Sequence, residues 1–409
     1  MTDRQQADGV RPRTETGGPY GGLPSTLAVA ADSAVGGGPT EHRRTPNTHT
    51  EHDREPSSHV MSGPPTTPAP ASWPDPDPNG PPLRLGTRRS ALAKAQSGQV
   101  AAAVTAATGR RVELVEITTY GDTSREQLAQ IGGTGVFVSA LRDALLDGSI
   151  DFAVHSLKDL PTAAPDGLAL AAVPLREDPR DALVARDGLS LDELVGKCEE
   201  TPARIGTGSP RRMAQLNAWA VTAGVRIETV PIRGNVDTRI GYVRSGELDA
   251  VVLAAAGLSR LGRLDEATEL LDSTLMLPAP GQGALALECR SGDTDLIAAL
   301  GLLDDPATRA AVTAERALLA ALEAGCSAPV GALAAVQRRA DGSSADADTA
   351  LHLGAVVGTV DGSSVVQLSV TGAFGPVAAS EQAAAALGRE LAARMLAEGA
   401  AGLMGERVQ

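Results

Sequence analysis

From Leu83 onward the apolar positions fall into two alternating textures. Short runs rich in Leu, Val and Ile predict strands, and longer stretches with apolar residues at helical spacing predict helices. LRLGTR (83–88), RVELVEITT (111–119) and DFAVHS (151–156) read as strands, with helices over 90–107 and 136–147. A second series starts near Asp181. Its strands are DALVAR, RIGTGS (204–209), RIETVPIR (226–233) and DAVVLAAAG (249–257), with helices from Pro210 and over 236–245. This alternation is the pattern of an α/β protein. LPAPGQGALALECR (277–290) reads as a return into the first series, with its Pro and Gly residues at a crossing point. After Pro306 an Ala-rich amphipathic helix runs to Glu323, where Gly325 is expected to accept the left-handed stop. The loop GCSAPVGA, strands over 351–360 and 364–372 and a helix over 378–397 complete the pattern, and no internal repeat stands out.

Residues 1–82 lack this periodicity and hold 15 of the 27 prolines, which predicts a disordered tail. A later start at Met61 is a second account of that segment. The expected organisation is a tail over 1–82, a first lobe from 83–178 with 279–303, a second lobe over 179–278, and a smaller α/β domain over 304–409.

Composition narrows the function. Hydrophobic residues make up 42% and aromatics only 2%, so the cores are packed with aliphatic side chains, which suits parallel strands covered by helices. A net charge of -14 argues against a nucleic-acid partner, since phosphate neutralisation needs a basic surface. No run of about eighteen apolar residues predicts a membrane span, and a secretory start is lacking, so a cytoplasmic protein is expected. Three cysteines without CxxC spacing suggest neither a disulfide framework nor a zinc site. Only His155 and His352 fall outside the tail, so no metal is expected.

The candidate chemistry lies at the ends of the predicted strands, where ligands bind in open α/β sheets. His155-Ser156-Leu157-Lys158-Asp159-Leu160-Pro161 follows one strand; a solvated turn is the alternative reading of its Lys–Asp pair. In GTGSPRR, Ser209 is placed to cap a helix with Pro210 at its first position. Arg211 and Arg212 then oppose the helix dipole, and a bound carboxylate or phosphate would compensate them, unless both are exposed surface arginines. Arg233 to Arg239 repeats the arrangement, Arg260 follows 249–257, and Arg88 with Ser90 follows the first strand. The residues alone describe a two-lobed cleft for a small ligand with several carboxylates.

Taken in order, LRLGTRRSALAKAQ, ITTYGDT, HSLKDLPT, IGTGSPRR, IRGNVDTR, GLSRLG, PAPGQGALALECR and GCSAPVGA resemble the porphobilinogen deaminase (hydroxymethylbilane synthase) family across 83–409. The resemblance implies two periplasmic-binding-protein-like α/β lobes around a cleft, plus a C-terminal domain carrying a cofactor cysteine. It implies condensation of four porphobilinogen molecules, with loss of ammonia, to give hydroxymethylbilane. The growing polypyrrole starts on a dipyrromethane cofactor, whose thioether would fall on Cys326. Asp159 corresponds to the catalytic carboxylate. Ser156, Lys158, Arg88, Ser90, Thr207, Ser209, Arg211, Arg212, Arg233 and Arg239 would anchor the cofactor. Arg88, Arg233, Arg239 and Arg260 would anchor substrate. A monomer with a functional link to the next tetrapyrrole-pathway enzyme is also implied.

The chain departs from the family pattern at three positions. Thr134 and Ser139 stand at cationic positions of a loop expected to cover the site, and Gly208 replaces a common hydroxyl. The rival reading is a non-catalytic receptor for a carboxylated small molecule, which shares the two-lobed pattern. A phosphate-transfer enzyme would need a GxxxxGK[ST] cradle, which is absent from the sequence.

Overall fold

Aliphatic runs that are buried on both faces pair as parallel strands and need helices on either side. In the computed structural model, which describes residues 80–118, 135–198, 200–325, 328–338, 349–374 and 377–404, two such sheets form. The first contains β1 (Leu83–Thr87), β2 (Val112–Glu116), β3 (Phe152–Ser156), β4 (Leu168–Ala172) and β10 (Leu285–Arg290) in the order β2-β1-β3-β10-β4. β1 is parallel to β2 and β3, whereas β10 is antiparallel to β3 and β4. The second contains β5 (Asp181–Ala185), β6 (Ala203–Gly206), β7 (Ile227–Val230), β8 (Ala250–Ala254) and β9 (Glu269–Leu270) in the order β7-β6-β8-β5-β9. There β6 is parallel to β7 and β8, and β5 is antiparallel to β8 and β9.

The two sheets therefore follow one plan. In each, the antiparallel inner strand is the first to form after the chain has crossed from the other lobe. No repeat was expected from the sequence, because what repeats is topology and not residue identity.

Helices α1 (Ala91–Thr108) and α2 (Gly135–Leu146) belong to the first lobe. Val100 and Val104 of α1 pack with Leu85, Phe152 and Leu287, while Leu141 and Leu145 of α2 pack with Ala153 on the opposite face. That division follows the two-residue period of β3. The second lobe carries α3 (Leu191–Gly196), α4 (Pro210–Ala223), α5 (Val236–Arg244) and α6 (Ala255–Arg260). α7 (Thr294–Gly301) returns to the first lobe, where Leu296 and Leu300 join the α1 core.

α8 (Pro306–Ala321) and α9 (Val377–Ala397) cover one face of an antiparallel sheet of β11 (Val330–Arg338), β12 (Thr349–Gly358) and β13 (Val365–Ala373). β13 alternates half-buried and exposed positions, as expected of a strand with one wet face.

Several expectations are corrected. The run 249–257 does not continue as a strand: it turns helical at Ala255, where alanines favour helix over a pleated surface. β4, β11, α3 and α7 were not foreseen, because they are short or Ala-rich and carry little periodicity. Gly325 is not the left-handed stop of α8; Glu323 takes that conformation, with φ of 52°. A non-glycine residue there costs about 1 kcal/mol, immediately before the segment that leads to Cys326.

Candidate functional site

At the carboxyl ends of β3 and β8 the chain bonds the segments that cross between the lobes: Leu157 N–H donates to the Ala284 carbonyl at 3.0 Å, and Ala255 N–H to the Arg180 carbonyl at 3.1 Å. β3 ends at Ser156 and passes into a tight turn, Leu157–Asp159, closed by the Leu160 N–H donating to the Leu157 carbonyl. Leu157 is fully buried and anchors the turn, leaving Lys158 and Asp159 half-buried beside the cleft. Ser156 Oγ accepts from Gln96 Nε2 of α1 at 3.1 Å. Lys158 Nζ donates to Gln282 Oε1 at 3.1 Å. Gln282 is itself buried in the return crossing, where its Nε2 donates to the Pro179 carbonyl at 2.7 Å and to Asp181 Oδ1 at 2.8 Å.

Asp181, the first residue of β5, has no exposed surface. Arg211 Nη1 donates to its Oδ2 at 2.8 Å, and Arg212 Nη2 donates to its Oδ1 at 2.7 Å. The same two guanidinium groups also donate to the Leu277 and Val252 carbonyls. The carboxylate expected to compensate these first-turn cations is thus supplied by the chain itself. Both arginines are buried, which excludes the surface-arginine alternative.

Charge in this region remains unbalanced toward the positive. Burial opposes ionisation of Asp181, yet Arg211 and Arg212 outweigh it and hold the carboxyl well below the usual range. Burial pushes the Lys158 ammonium down to about 8; Arg211 and Arg212 add to that shift, against Asp159 and Asp181. Burial, followed by repulsion from Arg212, also lowers Arg239. Arg239 Nε donates to the Gly234 carbonyl at 2.9 Å. Arg260 is buried, and its Nη2 donates to the Gly283 carbonyl at 2.6 Å. Among the described residues, the buried Nε atoms of Arg211 and Arg260 find no hydrogen-bond partner. A cluster of Lys158, Arg211, Arg212 and Arg239 around one internal carboxylate, with unmet donors nearby, fits a ligand bearing several carboxylates.

The remaining candidates take varied places. Ser90 caps α1, its hydroxyl accepting from Ala93 N–H at 3.3 Å, and Arg88 lies half-buried before it. Thr207 is fully buried and its hydroxyl accepts from Ser209 N–H, so it shapes the turn. Ser209 occupies the cap position of α4 without a side-chain cap bond, and Pro210 holds the first helical position as expected. Arg233 is exposed on the β7–α5 connection, outside the buried cluster. Gly208 has a steric reason: a Cβ there would lie 2.6 Å from the Ile232 carbonyl oxygen. Ser139 is exposed on α2, whereas Cys326 and Thr134 lie outside the described residues.

The other two cysteines lie in different environments, and only Cys289 is made a poor nucleophile by burial. Cys289 is fully buried in the first lobe, and burial pushes its thiol up to about 11. Cys198 is half-buried, with Arg186 Nη2 at 3.6 Å from its sulfur. Among the described residues no His, Cys, Asp and Glu cluster suited to a metal occurs, and no helix is long and apolar enough to cross a membrane.

Sequence reasoning missed Asp181, Gln282 and the pair Arg176–Glu315. Glu315 on α8 is fully buried and takes a fork from Arg176 at 2.7 and 3.1 Å. It also accepts from Gly281 N–H and Ala334 N–H, tying the return crossing to the third sheet. An acidic residue at the head of an apolar strand, or inside an Ala-rich helix stripe, was the available signal.

A family model described as "Porphobilinogen deaminase, dipyromethane cofactor binding domain" matches residues 83–298. A second, "Porphobilinogen deaminase, C-terminal domain", matches residues 309–397. The chain is 73% identical to "Porphobilinogen deaminase 1" of Streptomyces avermitilis over 325 residues, 80% of this chain and 98% of that protein. It is 52% identical to "Porphobilinogen deaminase" of Mycobacterium tuberculosis over 323 residues, 79% of this chain and 98% of that protein. Among solved structures it is similar to a periplasmic substrate-binding protein of Coxiella burnetii, with 13% identity, a TM-score of 0.35, and coverage of 55% of this chain and 92% of that one. The two-lobe architecture stands on strand order alone.

Proposed function

Since the chain belongs to the porphobilinogen deaminase family, we propose that it joins four porphobilinogen molecules head to tail into hydroxymethylbilane, releasing ammonia at each addition. The observation that carries this reading is the cationic cluster of buried Arg211 and Arg212 with half-buried Lys158 and Arg239, beside Asp159 and between two lobes. Porphobilinogen bears acetate and propionate groups, and such a cluster holds carboxylates against water. A dipyrromethane group, when bound, supplies the primer to which the first pyrrole is added. Cys326 is assigned its thioether, and the cluster together with Arg88, Ser90, Ser156, Ser209, Arg233 and Thr207, the last through the turn that it shapes, is assigned its side chains. Arg88, Arg233, Arg239 and Arg260 are assigned the carboxylates of incoming substrate.

Loss of ammonia from the aminomethyl carbon leaves positive charge on a pyrrole, and a C–C bond then forms as the next ring loses its α proton. Asp159 offers a fixed carboxylate to that charge and to the ring N–H groups. It is held by a turn anchored through buried Leu157, so its position need not be reorganised as charge develops. Lys158 and the arginines bind and orient the carboxylated rings. The three sheets are assigned to three domains over 83–178 with 279–303, 179–278 and 304–409, behind a tail over 1–82. A cytoplasmic monomer, acting without nucleic acid or membrane and handing product to the next tetrapyrrole enzyme, completes the reading.

Intact mass of the purified protein tests it. The chain should be heavier than its encoded mass by a dipyrromethane unit, located on the peptide containing Gly325 and Cys326. Cys326→Ser should fold without the adduct, because a hydroxyl is a far weaker nucleophile than a thiolate. Asp159→Asn should fold and lose about a hundredfold or more in turnover. An active wild-type protein without added mass, or with the group elsewhere, would return the carboxylate-receptor reading to contention.

A further inference from the structure

The turn that carries Asp159 is held from outside its own lobe. Arg316, half-buried on α8, sends Nη1 to the Leu157 carbonyl at 3.3 Å and to the Leu160 carbonyl at 3.0 Å, and Nη2 to the Pro161 carbonyl at 2.6 Å. One planar guanidinium therefore gathers three carbonyls on the far side of the Leu157–Asp159 turn. Lysine, with a single compact head group, could not span them in the same way. The preceding residue, Glu315, fixes α8 along its other contacts, to Arg176, Gly281 and Ala334. The helix is thus immobilised at the point from which Arg316 reaches the turn.

The helix ends at Ala321, and the chain turns through Leu322 and the left-handed Glu323 toward Gly325. At 1.5 Å rise per residue, the helical stretch from Arg316 to Ala321 is a rod of about 8 Å. We infer that Arg316 is a positioning residue, which fixes the Asp159 turn against α8. This rests on the functional reading above. The consequence is specific: these three bonds go to backbone carbonyls, and their loss should let the Asp159 turn move relative to α8. Displacement of a catalytic group by about 1 Å can cost on the order of a hundredfold in rate.

The test uses the full chain and three variants: Arg316→Ala, Arg316→Lys and, as a control, Arg309→Ala. Arg309 sits on the same helix but binds Asp304 and the Ala171 carbonyl, away from the turn. The measurements are intact mass for the adduct, thermal midpoint, kcat and KM for porphobilinogen, and hydrogen exchange at the Leu160 amide. Arg316→Ala should carry the full adduct and keep KM within about twofold, while kcat falls tenfold or more and Leu160 exchanges faster. Arg316→Lys should recover only part of kcat. Arg309→Ala should lose comparable thermal stability with kcat unchanged. Wild-type kcat in Arg316→Ala, or a loss of kcat matched by Arg309→Ala at equal loss of stability, overturns the positioning role. Loss of the adduct in Arg316→Ala, with the remaining loaded fraction turning over normally, overturns it as well. A wild-type protein without adduct or turnover would instead sink the functional reading, which separates the two failures.

Discussion

Arg211 and Arg239 are both cleft arginines, but their surroundings predict different failures. Arg211→Ala strips one partner from a carboxylate with no exposed surface, and removal of one member of such a buried pair costs about 3–5 kcal/mol. Its urea midpoint should drop sharply, whatever happens to catalysis. Arg239 is half-buried and its Nε binds only the Gly234 carbonyl, so Arg239→Ala should cost about 1 kcal/mol or less while raising KM. Equal stability losses in the two variants would contradict this division. Lys158 gives the pH dependence. Its ammonium is charged below about 8 and neutral above it, so its attraction for carboxylates is present at neutral pH and lost as pH rises through 8. KM for porphobilinogen should climb over that range; in Lys158→Met it should start higher and stay flat. A wild-type KM independent of pH between 7 and 9 would rule out Lys158 as an anion anchor. The sequence made these cations legible, since strand-end arginines stand out, but not their partner Asp181, because that pairing spans thirty residues and exists only once β5 and α4 are packed.

At the level of elements, the crossing segments couple the site to the fold. PAPGQG was readable as a crossing from its Pro and Gly residues, and the structure gives the physical cause. Gly283 has φ of 85°, and a Cβ there would lie 2.5 Å from the Glu177 carbonyl oxygen on the outgoing crossing. Glu177 N–H in turn donates to the Gly283 carbonyl at 3.2 Å, so the two crossings are paired backbone to backbone. Gly283→Ala should destabilise the protein by about 2 kcal/mol or more, from left-handed strain together with the collision. Gly301→Ala is the control: its Cβ would meet nothing within 4 Å at the end of α7, and the exchange should be neutral or mildly stabilising. Similar midpoints for the two variants would mean that the crossings yield easily. The long periodic elements such as α1 and α8 were legible because burial follows their spacing. α3 was not: it is six residues long and rests on a capping box between Ser190 and Glu193, a local device too short to leave a periodic trace.

For the whole molecule, the sharpest boundary in the sequence is the change of texture at Leu83, and the first strand starts there. Leu83 N–H donates to the Arg111 carbonyl at 2.8 Å, and its side chain is buried in the α1 core, so the fold takes hold at that residue. Among the described residues before it, the bonded contact is the Gly80 carbonyl accepting from Arg111 at 3.0 Å, an exposed bond of little energetic weight. The composition of residues 1–82, rich in proline and without apolar periodicity, gives them no means to form a core of their own. A chain starting near Pro81 retains all three sheets, the Asp181 pairs, the Gln282 bridge and the Arg316 contacts. It should melt within about 3 °C of the full chain, since the described bond that it loses, to the Gly80 carbonyl, is exposed and worth about 1 kcal/mol or less. Its kcat and KM for porphobilinogen should match those of the full chain, and its intact mass should still show the adduct. A truncated protein that fails to fold, or that folds with the adduct but turns over porphobilinogen several-fold more slowly, would give the proline-rich segment a role in the working enzyme.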